Sequence, residues 1–296
     1  MRREVSSIGP YLVPGSAVIV QPAQRHEWLP GMDYGNKATD GGHLILSPLE
    51  RAALIGDHPE AAEFVRPLMG SQEFIKGITR FCLWIPDGRV AAALEIPEIA
   101  RRVEAVRAFR AASASPATRQ AMAWSHRFIQ SSDPRPALIV PVTSSDRRCY
   151  LPAGFTNAET VISSNAFSAY DAPRWALAVI SSGMHRAWIG VVSGKYGGSL
   201  QYLSTLCWNT FPIARLPSDV LEALDATALG ILAARDRHPG KTIADLYDPD
   251  RMPDDLRAAH AMNDAVFEKA VAGRYLGSDD ERLEWLLAAY AQRATI

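Results

Sequence analysis

After Pro217 the apolar pattern of this chain changes period. Leu221, Leu224, Ala228 and Ile231 recur at helical spacing behind Ser218, read as an N-cap, and stop at His238-Pro239-Gly240. A second run begins near Pro253 and aligns Leu256, Ala259, Val266 and Ala270. A third opens on Ser278-x-x-Glu281, the capping-box pattern, and carries Leu283, Leu286, Leu287 and Tyr290. Before Pro217, apolar runs are short and broken by proline and glycine. Ala17–Gln21, Leu44–Leu46, Arg80–Ile85, Leu138–Val142, Cys149–Leu151, Thr160–Ser164 and Trp175–Ile180 read as strands. Helices are expected over 48–54 and 59–64, from Pro97 to about Ala112, and after Ser181-Ser182. The expectation is an α+β chain, with a mixed α/β domain over 1–215 and a small antiparallel helical bundle over 216–296.

A hydrophobic fraction of 48% and a charged fraction of 21% describe an ordinary globular protein. No apolar run reaches the ~20 residues of a membrane helix. The polar segment after Met1-Arg2-Arg3-Glu4 does not resemble a secretory signal. Cys82, Cys149 and Cys207 lack zinc-motif spacing and read as buried thiols in a reducing cytoplasm. The net charge of −1 conceals an asymmetry. Residues 98–148 hold nine Lys/Arg against four Asp/Glu, a net of +5, whereas residues 216–296 hold nine against fifteen, a net of −6. The basic centre suits a polyanion.

Within that centre, Ala137 to Gly154 sets two apolar flanks around Ser144, Ser145, Asp146, Arg147 and Arg148. If the centre stays extended, Asp146 and Arg148 share one face and Arg147 takes the other. Arginine matches the acceptors of guanine, and a carboxylate matches the amino group of cytosine. The plainer alternative is a surface loop with a local ion pair. In the helix after Pro97, the stripe is Ile99, Val103 and Val106. Arg101–Glu104 and Glu104–Arg107 have the spacing of surface ion pairs. Arg102 and Arg107 flank the stripe, free to reach a phosphate, while Arg110 falls within it and needs partners. Arg119 follows a loop of small residues able to approach another molecule closely.

Other constellations are weaker. Lys37 lies among Gly35, Gly41 and Gly42, but no Gly-Lys-Ser/Thr follows, which excludes a P-loop. Asp87 and Glu95 are not a nuclease carboxylate pair, because Pro97 stands where the lysine belongs. Asp40 and His43, with Asp33 as a further candidate ligand, give the alternative of a metal-assisted hydrolase; a turn aspartate beside a pairing histidine is the simpler reading. Met184, Trp188 and Val191 form a core-facing stripe ended by Gly194, with His185 off it as a surface or pairing histidine. Tyr196–Ser199 reads as a mobile loop. An acidic helical tail that docks a protein partner is a third possibility.

Several stretches together resemble the C-terminal part of the MmeI-like single-chain restriction–modification DNA methyltransferases. They are Tyr34–Leu44, Phe64–Ile75, Arg102–Arg110, Ser113–Arg119, Val140–Arg148, Met184–Trp188, Trp208–Pro212, His238–Gly240 and Leu246–Pro249, in collinear order over nearly the whole chain. The resemblance implies a target-recognition domain to about Arg215 and a helical segment after it. Double-stranded DNA is the implied ligand. Ser144, Ser145, Asp146 and Arg148 are the implied base readers, with Arg102, Arg107, Arg119 and Arg147 on phosphates. Two departures stand out: Trp208 replaces a tyrosine before Asn209, and Asp146 is shorter than the family's glutamate. Methyl transfer in such proteins needs an S-adenosylmethionine loop and an Asn-Pro-Pro-aromatic motif. This chain has no Asn-Pro dipeptide. The expectation is therefore a recognition part with no catalytic residues or cofactor of its own, served by a methyltransferase domain in cis or in trans, in the cytoplasm and away from any membrane.

Overall fold

The structure is a computed structural model that describes residues 9–11 and 18–293. By backbone proximity the chain divides into two units, one of residues 34–139 and 155–168, the other of 1–33, 140–154 and 169–296. The chain therefore crosses between units within the strands Asp33–Tyr34, Ala137–Pro141, Gly154–Thr156 and Ala166–Tyr170. The helical segment after residue 216 is not a unit by itself. It folds together with 140–154 and 169–215.

The 34–139 unit is built on a four-stranded sheet. Ile45–Leu46, Phe81–Leu83 and Val65–Met69 pair antiparallel in that order, and Val161–Ile162 joins Val65–Met69 in parallel. Leu44, Leu46, Phe64, Leu83, Ile99, Val106 and Phe128 fill its core. The helix Pro48–Asp57 starts as its sequence indicates: the Ser47 hydroxyl accepts the Glu50 amide and the Glu50 carboxylate accepts the Ser47 amide. Gly35 permits a close backbone approach, since a Cβ there would sit 2.5 Å from the carbonyl oxygens of Ile162 and Ser163. The helix Pro97–Ala111 buries Ile99 and Val106 as its stripe requires. Its surface ion pair is Arg101 with Glu98, not with Glu104.

In the other unit, the helix Ser218–Asp236 packs on Arg174–Ile180 and on Asp254–Ala272. The helix Asp279–Arg293 packs chiefly on Gly183–Val192. The three C-terminal helices thus bury their stripes partly on upstream helices, in place of a free-standing bundle. Pro217 is the N-cap of the first, with Ser218 already helical. In the second, Ala270 is exposed and the buried face is polar, comprising His260, Asn263, Asp264 and Glu268 beside Phe267.

Three strand expectations are corrected. Trp175–Ile180 lies in the helix Arg174–Ile180, N-capped at Pro173. Five consecutive residues of it, Ala176–Ile180, are buried, so no polar face reveals a helical period. Cys149–Leu151 is irregular, and Cys149 is exposed, contrary to the expectation of a buried thiol. Ala17 lies outside the described residues, and 18–21 are not strand. Among the described residues no helix is long and apolar enough to cross a membrane.

Candidate nucleic-acid interface

Ala137–Pro141 is fully buried, and the chain leaves it into the short strand Thr143–Ser145. That strand lies at one edge of a three-stranded antiparallel sheet, next to Ser199–Gln201, which pairs in turn with Gly194–Tyr196. The segment 196–199 is therefore the tip of a hairpin, where the sequence suggested a loop. Gly197 takes φ +56° there, a conformation glycine adopts without strain.

The strand ends at Ser145, and a turn follows in which the Arg148 amide donates to the Ser145 carbonyl at 3.3 Å. The extended alternation expected for Asp146–Arg148 is thereby corrected. A hairpin neighbour stops at Ser199, so no ladder continues to hold residues 146–148 straight. The turn is fixed by other groups. The Asp146 amide donates to the Gly198 carbonyl at 3.1 Å. The guanidinium of Arg186, from the helix Gly183–Val192, donates to the carbonyls of Asp146 at 2.6 Å and Arg148 at 2.9 Å. Sequence reasoning passed over Arg186, because nothing in the spacing of Met184, His185 and Trp188 singles it out.

With the backbone so held, the side chains differ in freedom. Asp146 is partly exposed and its carboxylate has no hydrogen-bond or ion-pair partner among the described residues. Arg148 is half-buried and donates to the Ser144 hydroxyl at 3.1 Å, which leaves most of its five donors unused. Burial pulls its pKa below the usual arginine value, and Asp248 opposes that. Ser144 is buried, whereas Ser145 is partly exposed and accepts the Arg147 amide. Arg147 is exposed and pairs with Asp250 at 2.6 Å. An exposed pair of this kind is weak and exchangeable.

Beyond the turn, side chains anchor what strand pairing does not. Tyr150 stacks on His260 with ring centroids 4.1 Å apart and donates to Asp264 at 3.1 Å. Asp264 also accepts the Gly183 amide at 2.7 Å. Burial raises its carboxyl to about 6. Arg235 donates to the Ala153 carbonyl and to Tyr247, whose hydroxyl meets His260. The polar buried face of Asp254–Ala272 is thus the seat of the turn's outgoing segment. Burial lowers the pKa of His260 to about 3, so this seat is uncharged at its histidine. His185 is likewise buried, bonded to Tyr202 at 3.1 Å, and pairs internally instead of lying on the surface. Trp208 donates its indole N–H to the Pro30 carbonyl and Asn209 donates to the Ala23 carbonyl, so this motif ties down the N-terminal segment.

The remaining arginines belong to the other unit. Arg102 is 7% exposed. It donates to Glu98 and Glu50 at 2.8 Å each and to the carbonyls of His43 and Ile45. The expectation that it is free to reach a phosphate is corrected: two carboxylates and two carbonyls already surround it. Arg110 is fully buried and donates to five backbone carbonyls, those of Ala38, Thr39, Ala121, Trp124 and Arg127. Arg107 is exposed with no partner among the described residues. Arg119 is exposed and holds the carbonyls of Ser113 and Ala114 with one nitrogen. Asp40 accepts the Leu44 amide at 2.7 Å, as a turn aspartate does.

The geometry defines an α+β protein that presents a side-chain-bearing turn from a hairpin sheet. Family models place that description. The model for "MmeI, target recognition domain" matches residues 14–215 and that for "MmeI, C-terminal domain" matches 217–295. The chain belongs to the MmeI family. It is 32% identical over 293 residues to "DNA methyltransferase A" of Bacillus subtilis (strain 168), an alignment covering 98% of this chain and 33% of that protein. The solved structure of the Type IIL restriction-modification enzyme MmeI in complex with DNA superposes with a TM-score of 0.93 at 29% identity, over 99% of this chain and 39% of that one. The chain thus spans about a third of the length of the relatives it matches.

Proposed function

We infer that this chain recognises a specific double-stranded DNA sequence, as the specificity part of a restriction–modification DNA methyltransferase. The observation that carries the reading is the turn at Asp146–Arg148. Its backbone is clamped by Arg186 and Gly198 while the Asp146 carboxylate is left without a partner among the described residues. A rigid backbone with uncommitted polar side chains is what base discrimination requires, because an unmatched base then leaves a polar group unpaired. Asp146 and Arg148 read base edges in the major groove, assisted by the partly exposed Ser145, while the buried Ser144 holds the Arg148 guanidinium from the inward side. Arg107, Arg119 and Arg147 neutralise phosphates, the last by exchanging Asp250 for DNA. Methyl transfer from S-adenosylmethionine to an adenine amino group would be supplied by a catalytic domain, in cis or in trans, within the cytoplasm. In this reading 1–215 carries recognition and 216–296 supports it from beneath the turn.

Selection of bound duplexes from a randomised pool, using the full chain, tests the reading. Asp146→Ala and Arg148→Ala are expected to relax preference at one base pair, by about 1–3 kcal/mol, and to leave the other positions unchanged. A wild-type chain that selects no sequence, or variants whose preferences match the wild type at every position, would refute it.

A further inference from the structure

The reading surface extends past the turn. In the three-stranded sheet, Gly194, Gln201 and Thr143 stand opposite one another in one row, and Tyr196, Ser199 and Ser145 in another. Paired residues share a face and successive residues alternate, so both rows lie on the same side. The intervening row of Lys195, Leu200 and Ser144 takes the other side, and the burial of Leu200 and Ser144 marks that side as inward. The outward side carries an amide, hydroxyls and one aromatic ring, with no aliphatic side chain.

Apart from Ser145, whose hydroxyl accepts the Arg147 amide, these groups are also uncommitted. Among the described residues, the Gln201 carboxamide and the hydroxyls of Thr143 and Ser199 make no hydrogen bond. The Tyr196 ring is 82% exposed and has no stacking or hydrogen-bond partner among them. Gly194, opposite Gln201, leaves open space: a Cβ there would meet nothing within 4 Å. A two-stranded ribbon fits the major groove, and a glutamine can bond both the N6 and N7 positions of adenine.

We propose that the outward face of this sheet is a second base-reading surface, with Gln201 reading an adenine and Tyr196 contacting the sugar–phosphate backbone beside it. The proposal rests on the DNA-recognition reading of the turn, which borders the same hairpin through the Asp146–Gly198 hydrogen bond.

The test is the same selection from randomised duplexes with the full chain. Gln201→Ala is expected to reduce the preference for adenine at one position by tenfold or more. Gln201→Glu, nearly isosteric, is expected to change that position toward cytosine, whose amino group donates to a carboxylate. Tyr196→Ala should weaken binding to all sequences alike. A consensus identical in wild type and both Gln201 variants, or one without any required adenine, overturns the proposal. Failure of the underlying reading looks different, for then the wild-type chain selects no consensus at all. A consensus that Asp146→Ala alters and Gln201→Glu does not would sink the sheet-face proposal alone.

Discussion

The helix Pro97–Ala111 and the turn after Ser145 both concentrate arginine, and they use it in opposite ways. In the helix, Arg102 and Arg110 are struts, and their guanidiniums close on carboxylates and carbonyls of their own unit. In the turn, the strut is Arg186, which holds the backbone from below. The Asp146 carboxylate and most of the Arg148 donors are thereby left without structural duty among the described residues. A tally of basic residues treats all of these alike. What separates a binding arginine from a structural one is whether nearby backbone and acids already satisfy its donors.

The largest expected effect tests the strut side of this contrast. Arg110→Ala removes five hydrogen bonds and leaves their carbonyls in the interior, and should cost about 4 kcal/mol or more in urea denaturation. Arg110→Lys should recover little, since a point charge cannot reproduce the planar fork. A loss below about 1 kcal/mol in the alanine variant would show that Arg110 is no strut.

Acid should separate the two units next. Burial holds His185 and His260 to about 3 in the folded chain. Their lowered values mean that the unfolded chain takes up protons first, so the stability they support is complete above about 6.5 and falls as pH drops toward 3. Asp264, raised to about 6 by burial, acts in the opposite sense: its cost grows as pH rises through roughly 4 to 6. Two histidines outweigh one carboxyl, so this unit should weaken from about pH 6.5 downward. In the other unit Glu50 is held to about 2 by its hydrogen bonds with the Ser47 amide and Arg102, and Glu98 to about 2 by those with Arg101 and Arg102. Their contribution persists above about 4.5 and is lost only as pH falls toward 2. Hydrogen exchange at pH 7, 5.5 and 4, corrected for intrinsic rates, should show the His185–His260 unit opening first. Simultaneous opening would contradict the assignment.

The contrast also explains what was legible beforehand. Helices with one apolar stripe, such as Pro97–Ala111 and Asp279–Arg293, declare themselves, as do the Ser47 and Ser278 caps. Trp175–Ile180 does not, because burial on every side erases its period. The need of Arg110 for partners was readable from its place in an apolar stripe. The capture of Arg102 was only partly so: Glu98 lies four residues before it on the same helix, but His43, Ile45 and Glu50 are more than fifty residues away along the chain. Distance also hides Arg186. Its partners are backbone carbonyls 38 and 40 residues back, and backbone groups leave no side-chain signature. Asp146 and Arg148 were legible as chemistry, but their geometry depends on a turn that alternation does not anticipate.

The smallest effect is the most discriminating for the arginines themselves. Binding of a polyanion releases counterions, so each phosphate contact contributes about 0.9 to the slope of log affinity against log salt. Arg107 projects from the same helix as Arg102, but only Arg107 lacks a partner among the described residues. Arg107→Ala should reduce the salt slope by about one while leaving base preferences and melting temperature unchanged. Arg102→Ala should do the reverse, lowering stability because Glu50 and Glu98 lose the charge between them, with the slope of the remaining folded protein intact. Arg119 falls between the two, since it already orders the Ser113–Ala114 carbonyls and its removal should touch both quantities. Equal slope changes for Arg102→Ala and Arg107→Ala, measured on folded protein, would mean that a guanidinium enclosed by two carboxylates still reaches DNA, and the distinction between strut and contact would fail.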